Sequence, residues 1–294
     1  MPNKKQIKIR CFPSFTTSDN MKTSYERFIN KTEVGYKIYG KDKKYIFTAD
    51  DDYTHVFIFN TAMPDISHIP KENILGFAHE PLEFLQLNQE FIDYAQKYIS
   101  KYFIGEKKNL PSPFMEGPCF LDCYEIPLLS SITPKPKFMS IMISQKNFAP
   151  GHIYRHTLVQ EILKSRLPID IYGRGCGYYS LLQDSRIKGD FQKYELYEEY
   201  QFNICIENFE TNHYFSEKII NPLLMNITPI YLGCKNITSY FPNMYWALSG
   251  DVQKDMELFH DIFYNPAKYI IDIPTEKVNK TVDLILNLPK LLNL

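Results

Sequence analysis

From Phe138 onward, short apolar runs and amphipathic stretches exchange places with a regularity that leaves the chain few folds to choose from. Runs at Phe138–Ser144, Ile169–Tyr172, Phe202–Ile206 and Pro229–Leu232 read as strands, while the segment from about Ile153 to Lys164 and the one after Ser216 read as helices. A parallel pair of strands needs a long crossover, usually a helix, so this exchange specifies an α/β fold with a parallel sheet covered on both faces. Another helix is predicted over 252–263, where Val252, Met256, Phe259, Ile262 and Phe263 share a stripe.

The upstream part follows the same theme less regularly. Ile7–Phe12, Tyr45–Thr48, His55–Phe59 and Ile74–Phe77 read as strands, and Leu82–Ile99 reads as a helix opened by Pro81. A strand-to-helix turn therefore falls at Ala78-His79-Glu80-Pro81. Residues 107–137 carry six prolines and little periodicity, which marks a connection and places a domain boundary near Pro134. At 294 residues the chain exceeds one core, and the expectation is two domains, 1–134 and 135–294. The terminal stretch from about Val278 to Leu294 is assigned to the second domain, where its leucines would dock; weak peripheral contact with a membrane is the alternative use of the same stripe.

Composition removes several classes of function. The 33 Lys and Arg balance 34 Asp and Glu to a net charge of -1, which lacks the positive surplus that nucleic-acid binding needs. No apolar run approaches the roughly 20 residues of a membrane span, and the N-terminus lacks the apolar stretch of a secretory signal, so a soluble, cytoplasmic protein is expected. The six cysteines are scattered and without a Cys-x-x-Cys pair, consistent with reduced thiols. Asp50-Asp51-Asp52 precedes a strand instead of ending one and reads as a solvated loop, not a metal site.

The densest chemistry lies in residues 202–233. An apolar strand ends in Glu207-Asn208, a polar loop follows, and Ser216 precedes Glu217-Lys218 and an apolar helix. In a parallel sheet this is the carboxyl end of a strand, where ligands bind, and free N–H groups at the next helix start face an anion. A capped helix with a solvated lysine is the plainer reading of that helix by itself.

The whole stretch resembles the family 10 glycosyltransferases, the alpha-1,3/1,4-fucosyltransferases. Ile206-Glu207-Asn208, Tyr214-Phe215-Ser216-Glu217-Lys218 and Pro229-Ile230-Tyr231-Leu232-Gly233 stand in the order and spacing of the family signature. The resemblance runs clearly from about Phe138 to Tyr245 and implies a GT-B architecture, two Rossmann-like domains with the nucleotide-sugar donor on the C-terminal one and the glycan acceptor on the N-terminal one. It further implies that Asn208, Tyr214, Glu217 and Lys218 contact GDP-fucose, Glu217 at nucleoside hydroxyls and Lys218 at the diphosphate. Arg155 matches the arginine at the start of the family's first donor-domain helix, where a guanidinium fork suits phosphate oxygens. Arg174, in a Tyr-Gly-Arg turn, either meets phosphate or stabilises the turn from the surface.

Inverting transfer needs a carboxylate to take the proton of the acceptor hydroxyl, and Glu80 resembles the family's glutamate at this point. Arg155 and Lys218 would neutralise the departing diphosphate, so no metal and no tightly bound cofactor are expected. Two departures stand out. Asn221-Pro222 replaces the usual small pair in the motif helix, and the loop Phe209–His213 is bulkier than the family's. A same-fold transferase using another nucleotide sugar and an inactive carbohydrate-binding relative are the competing readings.

Overall fold

The computed structural model describes residues 6–29, 45–124 and 135–293, so the boundary expected near Pro134 lies outside the described residues. Contacts group the described residues into two compact units. The first comprises 6–29, 45–124, 211–214 and 279–293, and the second 135–210 with 215–278.

In the first unit, β1 (Ile7–Pro13), β2 (Tyr45–Thr48), β3 (His55–Phe59), β4 (Ile74–Phe77), β5 (Lys101–Ile104) and β6 (Phe114–Glu116) form a parallel sheet in the order β2-β1-β3-β4-β5-β6. Successive side chains of a strand point to opposite faces, and β3 uses both. Phe57 and Phe59 join the core under helix Ser18–Ile29, with its Met21 and Tyr25, whereas Val56 and Ile58 pack with Phe91 and Ala95 of helix Gln89–Tyr98. Each fully buried side chain of this kind contributes about 1.5–3 kcal/mol. The helix expected over 82–99 is two pieces, Leu82–Leu85 and Gln89–Tyr98, because Gln86 turns left-handed (φ 49°) and Asn88 recaps the chain by accepting the Phe91 N–H at 2.9 Å.

The terminal stretch corrects the sequence reading. It is two helices, Thr275–Val282 and Leu284–Leu291, broken at Asp283, whose side chain caps the second by accepting the Leu286 N–H at 2.9 Å. Leu284, Ile285, Leu288 and Leu291 are buried beside Ile7, Ile9 and Phe47, so residues 279–293 belong to the first unit and not the second. The reason is that the Asp122 backbone pairs with this segment, its carbonyl accepting the Leu284 N–H at 2.9 Å, and delivers the leucine stripe to the first sheet. The stripe is thereby used up by a protein core and is not offered to a lipid surface.

In the second unit, β7 (Lys137–Met142), β8 (Ile169–Tyr172), β9 (Ile187–Gly189), β10 (Tyr200–Ile206), β11 (Thr228–Leu232) and β12 (Trp246–Ala247) form a second parallel sheet, ordered β12-β11-β10-β7-β8-β9. The chain steps outward from β7 to β9, returns to the centre, and steps the other way from β10 to β12. Connections therefore leave in opposite directions above the carboxyl ends of β7 and β10, which opens a crevice there. Helices Pro150–Lys164 and Val252–Tyr264 cover the sheet through Leu158, Val159, Ile162, Phe259 and Ile262, packed on Ile141, Phe202 and Ile204. Among the described residues no helix is long and apolar enough to cross a membrane.

Candidate active site

The crevice of the second sheet is a cavity of about 540 Å³, lined by Met142, Ser144 and His152 after β7, Arg174 after β8, Asp190 after β9, and Asn208 and Lys218 after β10, among others. Helix Pro150–Lys164 brings its first turn to the centre. Gly151 makes this possible: a Cβ there would lie 1.8 Å from the Glu207 carbonyl oxygen, and its own N–H donates to the Asn208 carbonyl at 3.0 Å. Gly173 plays the same part at the end of β8, with φ 99° and the Ile143 carbonyl 2.3 Å from where a Cβ would stand.

Arg155 lies one turn into that helix and is 2% exposed. Its Nε donates to the Gly151 carbonyl at 3.1 Å and its Nη2 to the Asn208 Oδ1 at 2.9 Å, so the guanidinium is fixed beside the end of β10, where Arg155 lines the cavity. Opposite it, Ser216 caps helix Glu217–Leu224 by accepting the Lys218 N–H at 3.4 Å. Behind that cap is Glu207, buried to 1% exposure, which accepts from the Ser216 N–H at 2.8 Å and from the Ser216 hydroxyl at 2.8 Å. The Lys218 Nζ stands 3.4 Å from both the Glu207 and the Glu217 carboxylates.

Burial works against the Lys218 charge, but Glu217 and Glu207 outweigh it and raise the pKa. For Glu217 burial likewise opposes ionisation, and Lys218 overcomes it to leave the carboxyl below its usual range. Lys218 therefore stays cationic and Glu217 anionic at neutral pH. His152 is 3% exposed; burial first, then Arg155, Lys146, Lys218 and His156, push its pKa down to about 4. A neutral imidazole thus sits beside two cations. Pro222 lies inside helix Glu217–Leu224 and cannot donate to the Lys218 carbonyl, yet the helix continues to Leu224.

The structure brings Arg155, Arg174, Asn208, Glu217 and Lys218 to one cavity. Tyr214 stands elsewhere. It is 2% exposed in the core of the first unit with Tyr102, Ile104 and Phe114, and the cavity is lined without it, because residues 211–214 pack with the first sheet. Glu80 also belongs to the first unit, three residues beyond the end of β4, and is half-buried. Its turn is held by Asn60, a left-handed residue (φ 54°) whose Oδ1 accepts the His79 N–H at 2.9 Å. The His79 ring is itself enclosed by Phe59 and Phe120, both at 4.7 Å between centroids. Asp51 and Asp52 pair with Arg10 and Lys8. Among the described residues, no group of three or more His, Cys, Asp or Glu is placed to hold a metal ion.

Sequence reasoning missed His152 and the loop Asp190-Phe191-Gln192, both of which line the cavity. His152 was visible as the residue after Pro150-Gly151 at a helix start. Asp190 follows a strand of three residues, too short for any periodic signal.

Residues 132–260 match the model of glycosyltransferase family 10 (fucosyltransferase), C-terminal part. This part of the chain is similar to the family 10 glycosyltransferases. The chain is similar to Drosophila melanogaster alpha-(1,3)-fucosyltransferase B, 32% identical over 140 residues, which is 44% of this chain and 27% of the relative. Danio rerio GDP-fucose protein O-fucosyltransferase 3 is 29% identical over 92 residues, 30% of this chain and 20% of that protein. The chain thus spans less than a third of the length of either relative. An alpha1,3-fucosyltransferase crystallised with GDP superposes with a TM-score of 0.54 at 14% identity, over 96% of this chain and 84% of that one. The Anabaena HepE protein in complex with UDP-glucose gives 0.61 at 9% identity, over 98% of both chains. At these identities the likeness speaks for the fold, which is α/β of the GT-B class.

Proposed function

We propose that the protein is a family 10 glycosyltransferase that transfers L-fucose from GDP-fucose to a glycan hydroxyl with inversion, forming an alpha-1,3 linkage. The observation that carries the reading is the convergence of Arg155 and Lys218 on one cavity above the carboxyl ends of β7 and β10, in a domain similar to a fucosyltransferase family. A departing diphosphate needs positive charge that is in place before the bond breaks, and both cations are already fixed by protein partners. Arg155 and Lys218 hold the diphosphate, Asn208 orients the guanidinium, Glu217 accepts from ribose hydroxyls, and Arg174 adds a peripheral phosphate contact. Glu80 removes the acceptor proton as the sugar carbon is attacked.

The positive residues take the part a metal plays in other transferases, so the reaction needs none. The six cysteines are buried free thiols, which supports a reducing compartment such as the cytoplasm as the place of action.

The test is transfer from GDP-fucose over a glycan array, with and without EDTA, followed by NMR of the product. Product formed under both conditions, with the anomeric configuration opposite to the donor's, is the expected result. Transfer only from another nucleotide sugar, or none from any, would overturn the reading.

A further inference from the structure

The cavity carries charges of both signs. Above β7 and β10 it carries Arg155 and Lys218, with Glu217 held by Lys218, and Lys146 also lines it. Beyond the end of β9 it carries Asp190 and Phe191, with Arg174 lining it after the neighbouring β8. Two strand spacings, about 10 Å, separate the carboxyl end of β7 from that of β9, which leaves room for a ribose between a diphosphate at the cations and a base at Asp190.

Asp190 is held in position by its neighbours. Gly189 is left-handed (φ 80°) and its carbonyl accepts the Gly173 N–H, which ties the start of the loop to the end of β8. On the other side, the Phe191 ring stands edge-on to Tyr172, centroids 6.2 Å apart at 86°. The Asp190 side chain is exposed to the cavity and makes no ion pair among the described residues.

We infer that Asp190 reads the donor base as guanine. This rests on the proposed use of the cavity for a nucleotide sugar and goes beyond it, since the fold alone is shared by proteins crystallised with GDP and with UDP-glucose. A carboxylate offers two acceptors side by side. The edge of guanine offers two donors side by side, its ring N1–H and exocyclic N2–H, and the two match in a bidentate, charge-assisted pair. Uracil presents one N–H between two carbonyl oxygens, and adenine presents a ring acceptor at the corresponding place, so each brings a lone pair against the carboxylate. Phe191 beside it gives the base an apolar neighbour.

The experiment is calorimetric titration of the full chain with GDP, inosine diphosphate, UDP and inorganic pyrophosphate, for the wild type, Asp190→Asn and Asp190→Ala. Inosine diphosphate differs from GDP solely by the missing N2 amine. The wild type is expected to prefer GDP over inosine diphosphate by about tenfold or more, the discrimination of one good bidentate pair. Both variants should bring that ratio close to one and leave pyrophosphate binding unchanged. If the wild type binds GDP but the variants keep its GDP-to-inosine preference, the base assignment is wrong and the donor cavity stands. If the wild type binds neither GDP nor pyrophosphate, the donor cavity itself is wrong.

Discussion

The Arg155 guanidinium donates to the Asn208 side-chain oxygen at 2.9 Å while its Nε holds the Gly151 carbonyl at 3.1 Å, so one buried cation ties the first turn of a helix to the end of a strand. A lysine keeps the charge but cannot make both bonds. Arg155→Lys is therefore expected to weaken GDP binding by about tenfold, in line with the loss of one charge-assisted contact. Asn208→Ala should weaken it less, and the two changes together should fall short of the sum, because Asn208 acts through Arg155. Calorimetry on the three variants checks this, and strictly additive losses would separate the two residues.

His152 makes stability depend on pH in a stated direction. Its pKa is depressed from 6.5 to about 4 in the fold. Between those values the unfolded chain takes up a proton that the folded chain refuses, so stability falls as pH drops from about 6.5 to 4 and levels off below. The effect is about 1–3 kcal/mol for a buried group of this kind. Melting temperatures measured from pH 7 to 4 should fall less steeply in His152→Gln than in the wild type; parallel curves would remove His152 as the cause.

Asp283 has the opposite sign. Burial raises its pKa to about 6, against the hydrogen bonds from Leu286 and Ile285 that lower it. Its charge is thus a burden at neutral pH, and its contribution to stability is lost as pH rises through about 6. Asparagine caps a helix as well as aspartate does. Asp283→Asn should accordingly gain about 1–2 kcal/mol at pH 7.5 and nothing below pH 4. A melting temperature that falls at pH 7.5 would show that the ionised carboxylate is needed.

Strands β1–β4, β7, β8, β10 and β11 were legible as apolar runs, and the cavity was legible because Glu207-Asn208 and Ser216-Glu217-Lys218 mark the end of β10 and the start of the next helix. Two kinds of information were not. The stripe Leu284, Ile285, Leu288 and Leu291 shows that a helix buries one face but not which core receives it; the Asp122 backbone decides that, some 160 residues away in sequence. Tyr214 sits in a polar loop next to binding residues, and its burial in the first core depends on contacts with Tyr102 and Phe114 that local sequence does not encode. Helix Ser18–Ile29 and the short strands β5, β6, β9 and β12 carry too few periodic positions to register.

Glu80, the proposed base, is expected to separate catalysis from binding. Replacing it with Gln keeps its size and hydrogen bonding but removes the base, so turnover should fall by about 10²–10⁴ while GDP affinity is unchanged. A carboxylate that only favours the dipole of the following helix turn would cost about 0.3–1 kcal/mol of stability and leave turnover intact. Steady-state transfer rates and melting temperature on Glu80→Gln distinguish the two.

In the proposed reaction the charge on Lys218 binds a nucleoside diphosphate. Removing Lys218 alone would strand the buried Glu207 carboxylate, at a cost of about 3–5 kcal/mol in stability, and confuse folding with binding. The double variant Lys218→Met with Glu207→Gln neutralises the pair together and keeps the volume. The direct measurement is GDP titration into the wild type and this variant, with circular dichroism confirming the fold. The expected result is a Kd weaker by about 10- to 100-fold in the variant; a folded variant that binds GDP as tightly as the wild type would contradict the account.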